Sequence, residues 1–236
     1  MSKNLISALS VLAACIFTWA LVPAGFGAKT ARVSHVHGDV FIGATDKGPW
    51  QPAKKGLTIS ADNFIKTGDP GRVELTMPDG SVVRLASNTL FKINQASFPE
   101  KEARKFSVRL FLGKMWAKVT SRIGSPRGTF NAHTPTAVAG VRGTVYNLEV
   151  AKDTSTNIWV YDGKIGVGPP VLVEGGAKDE IAWPAEVNEK RWAEIILARL
   201  QRLYIGADGK PGKPVSFDPA REKDEWTAWN LQRDRK

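Results

Sequence analysis

The strongest constraint on the fold is a two-residue alternation of apolar and polar side chains that recurs on either side of glycines. Phe106, Val108, Leu110 and Leu112 alternate into Gly113, and Met115, Ala117 and Val119 alternate out of it. Successive side chains of an extended chain point to opposite faces, so this spacing predicts a strand pair with one apolar face. Val73, Leu75 and Met77 alternate against Arg72, Glu74 and Thr76. They lie between Gly68-Asp69-Pro70-Gly71, read as a turn, and Pro78-Asp79-Gly80-Ser81, read as a hairpin connection. Val36, Val40 and Ile42 mark another strand, and a turn-rich connection over 43–56 carries Trp50. The theme of strand, glycine turn, strand returns at Gly38, Gly80, Gly113 and Gly163, at intervals of 42, 33 and 50 residues. Those intervals are too irregular for a solenoid, so the expected fold is mainly β, a stacked or sandwich-like antiparallel domain.

The period changes near the C-terminus. Trp192, Ile196, Leu200 and Leu203 fall at helical spacing before Gly206, which predicts an amphipathic helix over 184–204. A Gly/Pro/Lys linker over 209–214 follows. Asp218-Pro219 then reads as the N-cap and first-turn proline of a short helical tail carrying Trp226 and Trp229, with 233–236 expected to fray. Three segments are expected: a signal peptide over 1–28, a β domain over 29–183 and a helical extension over 184–236.

The signal assignment rests on Lys3, the apolar run from Leu5 to Val22 and the small residues from Ala24 to Ala28. Cleavage there yields a periplasmic or secreted chain with no cysteine, because Cys15 is the only one. Leu12-Ala13-Ala14-Cys15 resembles a lipobox, and acylation at Cys15 is the alternative. The net charge of +10 points to anionic surroundings. Residues 29–183 hold 21 Lys and Arg against 14 Asp and Glu, or +7, so the excess belongs to the β domain. Peripheral contact with a membrane is compatible with that charge.

Candidate sites are few. His35, His37 and Asp39 alternate on one strand face and are weak candidates for metal ligands. Lys114, Trp116 and Lys118 share a face within a basic run, where two ammonium groups beside an exposed indole suit anionic sugars. Single-stranded nucleic acid suits the same chemistry, but an exported protein rarely meets it, so no nucleic-acid partner is expected. Trp226 and Trp229 form a second candidate partner surface. Thr134-Pro135-Thr136-Ala137-Val138-Ala139-Gly140-Val141-Arg142-Gly143-Thr144 is the most unusual stretch. Its glycines bracket one arginine, read as a buried clamp in preference to a recognition residue. No nucleophile elbow, phosphate loop or His-Glu-x-x-His motif occurs, so neither an enzymatic activity nor a cofactor is expected.

That stretch resembles the hallmark of FecR-type domains, approximately Thr-Pro-x-Ala-x-x-Gly-Val-Arg-Gly-Thr. Ile65-Lys66-Thr67-Gly68, Val73-Glu74-Leu75, Asp79-Gly80-Ser81-Val82-Val83-Arg84-Leu85 and Asn88-Thr89 are similar to the family's first half. Val160-Tyr161-Asp162-Gly163-Lys164-Ile165 is similar to its closing strands, so the resemblance covers about residues 33–168. Asp62-Asn63 stands where the family tends to carry Gly-Asp. The resemblance implies an extracytoplasmic binding or signalling module. The best-known members relay an occupied outer-membrane transporter to an inner-membrane sigma-factor regulator. Without the segments that role needs, the expected partner is a protein of the cell envelope, with an anionic cell-wall or envelope glycan as the alternative.

Overall fold

The computed structural model of the protein describes residues 30–99, 103–120, 128–170, 195–222 and 224–235. Its spine is β7 (Lys105–Lys118), a single strand of 14 residues. Its first half pairs with β6 (Leu90–Ser97) and, in parallel, with β8 (Thr129–His133). Its second half pairs antiparallel with β5 (Val82–Leu85) and β10 (Val145–Val150). The expected strand pair around Gly113 is therefore one strand with a kink. Positions facing the main core are even before the glycine (Phe106, Val108, Leu110) and odd after it (Met115, Ala117). One extra residue at the kink switches the faces. Gly113 has φ +94°, and a Cβ there would collide with Thr89, so no other residue fits.

Two further long strands, β1 (Ala31–Gly43) and β4 (Phe64–Thr76), run antiparallel, with irregularities at Ser34 and Asp39. Gly68-Asp69-Pro70-Gly71, expected as a turn, lies inside β4, where Gly68 and Gly71 pack against Asp39 of β1. The expected hairpin is present: Met77 N donates to Ser81 O at 2.9 Å, and Asp79 Oδ1 accepts from Ser81 N at 2.9 Å. Gly80 there has φ +83°. Short strands β2 (Trp50–Pro52) and β3 (Thr58–Ile59) pair with β1. The other half adds β9 (Val138–Val141), β11 (Thr156–Asp162) and β12 (Lys164–Gly168). Every pairing among the described residues is antiparallel except β7 with β8. One apolar core, from Ala31 in β1 to Ile205, is shared by both halves.

The amphipathic helix expected over 184–204 is not formed at its described end. Residues 195–205 make β13 (Ile195–Ala198) and β14 (Gln201–Ile205), joined by a turn with Leu200 at φ +61°. Sheet edges won over helical spacing here. β12 takes Leu197 opposite Ile165, β11 takes Leu203 opposite Ile158, and Leu197, Leu203 and Ile205 are all buried in the core. Residues 184–194 lie outside the described residues, as do the signal segment and Cys15. After β15 (Val215–Ser216) comes α1 (Glu225–Asp234), capped by Asp224, whose carboxylate accepts from Thr227 N at 3.1 Å. Asp218, the expected cap, instead closes a turn by accepting from Ala220 N at 3.0 Å. No helix among the described residues is long and apolar enough to cross a membrane.

Candidate functional site beneath the C-terminal helix

Strand register lines up one row of outward-facing side chains across half the sheet. His35 of β1 stands opposite Glu74 of β4, Glu74 opposite Arg84 of β5, and Arg84 opposite Trp116 of β7. Trp116 is opposite Asn147 of β10, and Asn147 opposite Trp159 of β11. An outward row on a sheet normally meets water. Here α1 lies along it, and Trp116, Arg84 and Asn147 are 0%, 4% and 5% exposed.

The helix is held largely by polar and aromatic contacts. Asp234 accepts from the Arg84 guanidinium at 2.7 Å and from Trp116 Nε1 at 2.9 Å, while Lys118 Nζ donates to its main-chain oxygen at 3.0 Å. A carboxylate in the last turn opposes the helix dipole, and these donors compensate for it. Arg84 also donates to Glu74 at 2.7 Å and to Asn230 at 3.2 Å. Burial alone would raise the Glu74 carboxyl, but hydrogen bonds from Arg233, Arg84 and Ser34 hold it down at about 2. At the other end, Trp226 Nε1 donates to Asn147 Oδ1 at 3.0 Å, and Arg72 pairs with Glu225 at 2.9 Å. Trp229 stacks on Trp226 with ring centres 5.5 Å apart. The guanidinium groups of Arg72, Arg84 and Arg233 surround Trp229 at 5.4, 5.8 and 4.9 Å. Tyr161 packs on Trp116 with centres 4.5 Å apart and lies within 3.4 Å of the Thr227 hydroxyl; burial pushes its phenol up to about 12.

Two surfaces that look separate in the sequence are thus the two sides of one interface: Trp116 and Lys118 on the sheet, Trp226 and Trp229 on the helix. The indole of Trp116 is not exposed as expected, because α1 covers it. Lys114 pairs with Glu149 at 3.6 Å and borders a cleft of about 390 Å³ beside Trp226. The tail expected to fray at 233–236 instead supplies Arg233 and Asp234 to the interface.

Arg142 is elsewhere and is not a clamp. Its side chain is exposed and makes no ion pair or hydrogen bond among the described residues. The close packing inferred from its glycines is between main chains. A Cβ on Gly163, which follows Asp162, would meet the Gly143 carbonyl oxygen at 2.5 Å, so the turn crowds backbone and leaves the arginine side chain outside. Thr144 Oγ1 donates to Lys164 O at 2.9 Å, tying that turn to β12. The Thr134-Pro135 end is equally structural. Thr134 Oγ1 accepts from Ala137 N at 2.9 Å and meets Thr156 Oγ1 at 2.9 Å, and the hallmark stretch, Gly140 included, serves the β8–β9 hairpin.

The buried arginine clamp does exist, at Arg84. The signal for it was the hairpin: a turn at Asp79-Gly80 sets Glu74 opposite Arg84. His35, His37 and Asp39 are not assembled as ligands. The irregularity at Asp39 turns it toward Gly68, while His35 packs against Trp229, with ring centres 6.3 Å apart. No group of three or more potential ligands occurs among the described residues.

Residues 63–166 match the family model described as FecR protein. That segment is similar to a FecR domain. Around the matched segment, β1 pairs with β4, and β14 with β11, while α1 closes the face from outside it. Two crystal structures, each of a proposed anti-sigma factor from Parabacteroides distasonis, are similar to the protein. One has a TM-score of 0.48 at 19% identity over 71% of this chain and 64% of that one, the other 0.45 at 18% over 66% and 59%. The chain thus spans about three fifths of the length of those structures. No curated protein matches the sequence.

Proposed function

We propose that the protein is a non-catalytic binding and signalling module of the cell envelope, and that it engages a protein partner through the face now covered by α1. The observation that supports this is the chemistry of the covered row. Arg84, Glu74, Trp116, Asn147, Tyr161 and Lys118 together match one helix, with paired tryptophans at one end and a carboxylate at the other. A face that selects a short helix so specifically is a recognition surface, and α1 is its resident ligand. A partner offering similar groups binds there in exchange for α1. Arg142 is a second, peripheral candidate contact.

Export is part of the proposal: the mature chain starts after one of the small residues from Ala24 to Ala28 and resides in the periplasm. N-terminal sequencing of the purified protein tests this, and a chain starting at an acylated Cys15 would replace it with a lipoprotein. Partner capture tests the face. Envelope proteins retained by the wild type are compared with those retained by Asp234→Ala, which loosens α1, and by Asp234→Ala/Tyr161→Ala, which also alters the sheet side. The proposal requires a partner whose capture rises with the first change and falls with the second. Capture indifferent to both rules the face out.

A further inference from the structure

The other half of the sheet carries a second outward row with a different composition, its side chains half-buried except for the exposed Lys66. Register places Trp50 of β2 opposite Gly43 of β1, Gly43 opposite Phe64 of β4, Phe64 opposite Lys92 of β6, and Lys92 opposite Arg109 of β7. Lys66 and Phe111 flank this row two residues along β4 and β7. Aromatic rings and cations alternate in contact. Lys66 Nζ lies 5.8 Å from the Trp50 ring centre, Lys92 Nζ 5.3 Å from Phe64, and the Arg109 guanidinium 5.4 Å from Phe111. Phe64 and Phe111 stack with centres 5.9 Å apart. Trp50 has its place because Gly43 has no side chain: a Cβ there would sit 3.0 Å from the indole edge. With neighbouring strands about 4.8 Å apart, the row from Trp50 to Arg109 spans roughly 19 Å.

We infer that this strip is a binding site for an anionic polysaccharide. Half-buried aromatic rings fixed on a sheet offer flat apolar platforms for the faces of sugar rings, and Lys66 and Lys92 beside them meet carboxylate, sulfate or phosphate substituents. The cations rest against aromatic rings, so little side-chain freedom is lost on binding. Asp62, which pairs with Lys92 at 3.2 Å, is 79% exposed at one margin and can turn away. Beyond Arg109 the same face continues with Ser107 opposite Asn131, both suited to sugar hydroxyls. The site is separate from the face under α1 and does not depend on the reading of that face.

The probe is polygalacturonate, with dextran as the neutral polymer and oligo-dT and phosphatidylglycerol vesicles as other polyanions. Affinity electrophoresis of the full-length mature chain is expected to show retardation by polygalacturonate and none by dextran. Lys66→Glu/Lys92→Glu should weaken that binding about tenfold or more, and Lys152→Glu/Lys213→Glu, an equal change in net charge off the strip, should leave it intact. Trp50→Ala should weaken binding several-fold without changing its salt dependence, because the ring contributes contact area and no charge. Thermal melts of all variants check that the fold is retained, since Trp50 and Lys92 are half-buried while Lys66, Lys152 and Lys213 are exposed. Equal weakening by the two charge-reversed pairs overturns the inference in favour of non-specific attraction. Strip-dependent binding of oligo-dT or vesicles without strip-dependent binding of polygalacturonate overturns it in favour of another polyanion.

Discussion

Asp234→Asn tests how α1 is held, because the substitution keeps the shape of the side chain and removes only its charge. The native carboxylate accepts from Arg84 at 2.7 Å and from Trp116 Nε1 at 2.9 Å, with the side chain 12% exposed. An amide can accept from one of these donors, and its NH2 group then faces the other. One charge-assisted hydrogen bond is lost and one buried donor is orphaned, which together cost about 3 kcal/mol. Glu74 still pairs with Arg84, so the cost falls short of exposing a wholly unpaired buried cation. A helix of ten residues does not persist alone, so undocking and unfolding of α1 are one event. Hydrogen exchange measures it directly. Amides of residues 225–234 should exchange about a hundredfold faster, since every 1.4 kcal/mol is a factor of ten, and those of β7 should be unchanged. Tryptophan emission should shift to the red as Trp116 and Trp226 meet water. If protection of β7 and α1 fell together, α1 would be part of the core and not a separable occupant of its face.

Arg142→Ala should change stability by no more than about 0.5 kcal/mol in a denaturant titration, because an exposed side chain without a partner among the described residues has nothing to lose. A loss of several kcal/mol would restore the clamp. His133 is 2% exposed, with Nδ1 unpartnered, and burial with the Arg109 charge lowers it to about 4. The unfolded chain therefore takes up a proton below pH 6.5 that the folded chain refuses, and stability should fall by about 3 kcal/mol between pH 6.5 and 4. His133→Leu should flatten that slope, as read from denaturation midpoints across the range. Gly113→Ala should destabilise the fold by about 2 to 4 kcal/mol, since it combines a left-handed backbone with a collision against Thr89. A melting temperature equal to the wild type's would show that β7 does not need its kink.

The strands of the core were legible because burial on one face leaves a period-two trace that no loop imitates. Phe106, Val108 and Leu110, then Met115 and Ala117, are core residues as the alternation predicts. What periodicity cannot distinguish is a kink from a turn, since both carry glycine, and so β7 read as two strands. The failure at 195–205 has a different cause. Ile196, Leu200 and Leu203 satisfy helical spacing, but the edges of β11 and β12 offered main-chain hydrogen bonds and a place in the core for Leu197 and Leu203. Nothing local records that offer. The candidate interface was half legible for the same reason. Trp116 and Lys118 were visible as one face and Trp226 and Trp229 as another, but their meeting depends on the path of the chain between them. Arg84 was overlooked because its burial is caused by α1, more than 130 residues later.

The composition of the interface bears on whether α1 can be exchanged. Had the helix been docked by a broad apolar stripe, its release would expose a large greasy face prone to aggregation. The contacts instead combine a small apolar cluster of Ala86, Trp116, Tyr161 and Trp226 with ion pairs, indole N–H bonds and cation–ring packing. Buried polar pairs of this kind are close to neutral in net stability, because the desolvation cost offsets most of the attraction, but they are demanding in geometry. Geometry of this kind favours the helix that fits it. Under the proposed exchange, release of α1 would return Arg84, Glu74 and Lys118 to water, and a partner helix with a carboxylate and an indole in the same places would regain the same contacts. A face with high selectivity and low net affinity for its resident helix is the condition for exchange by a competitor of only modest affinity.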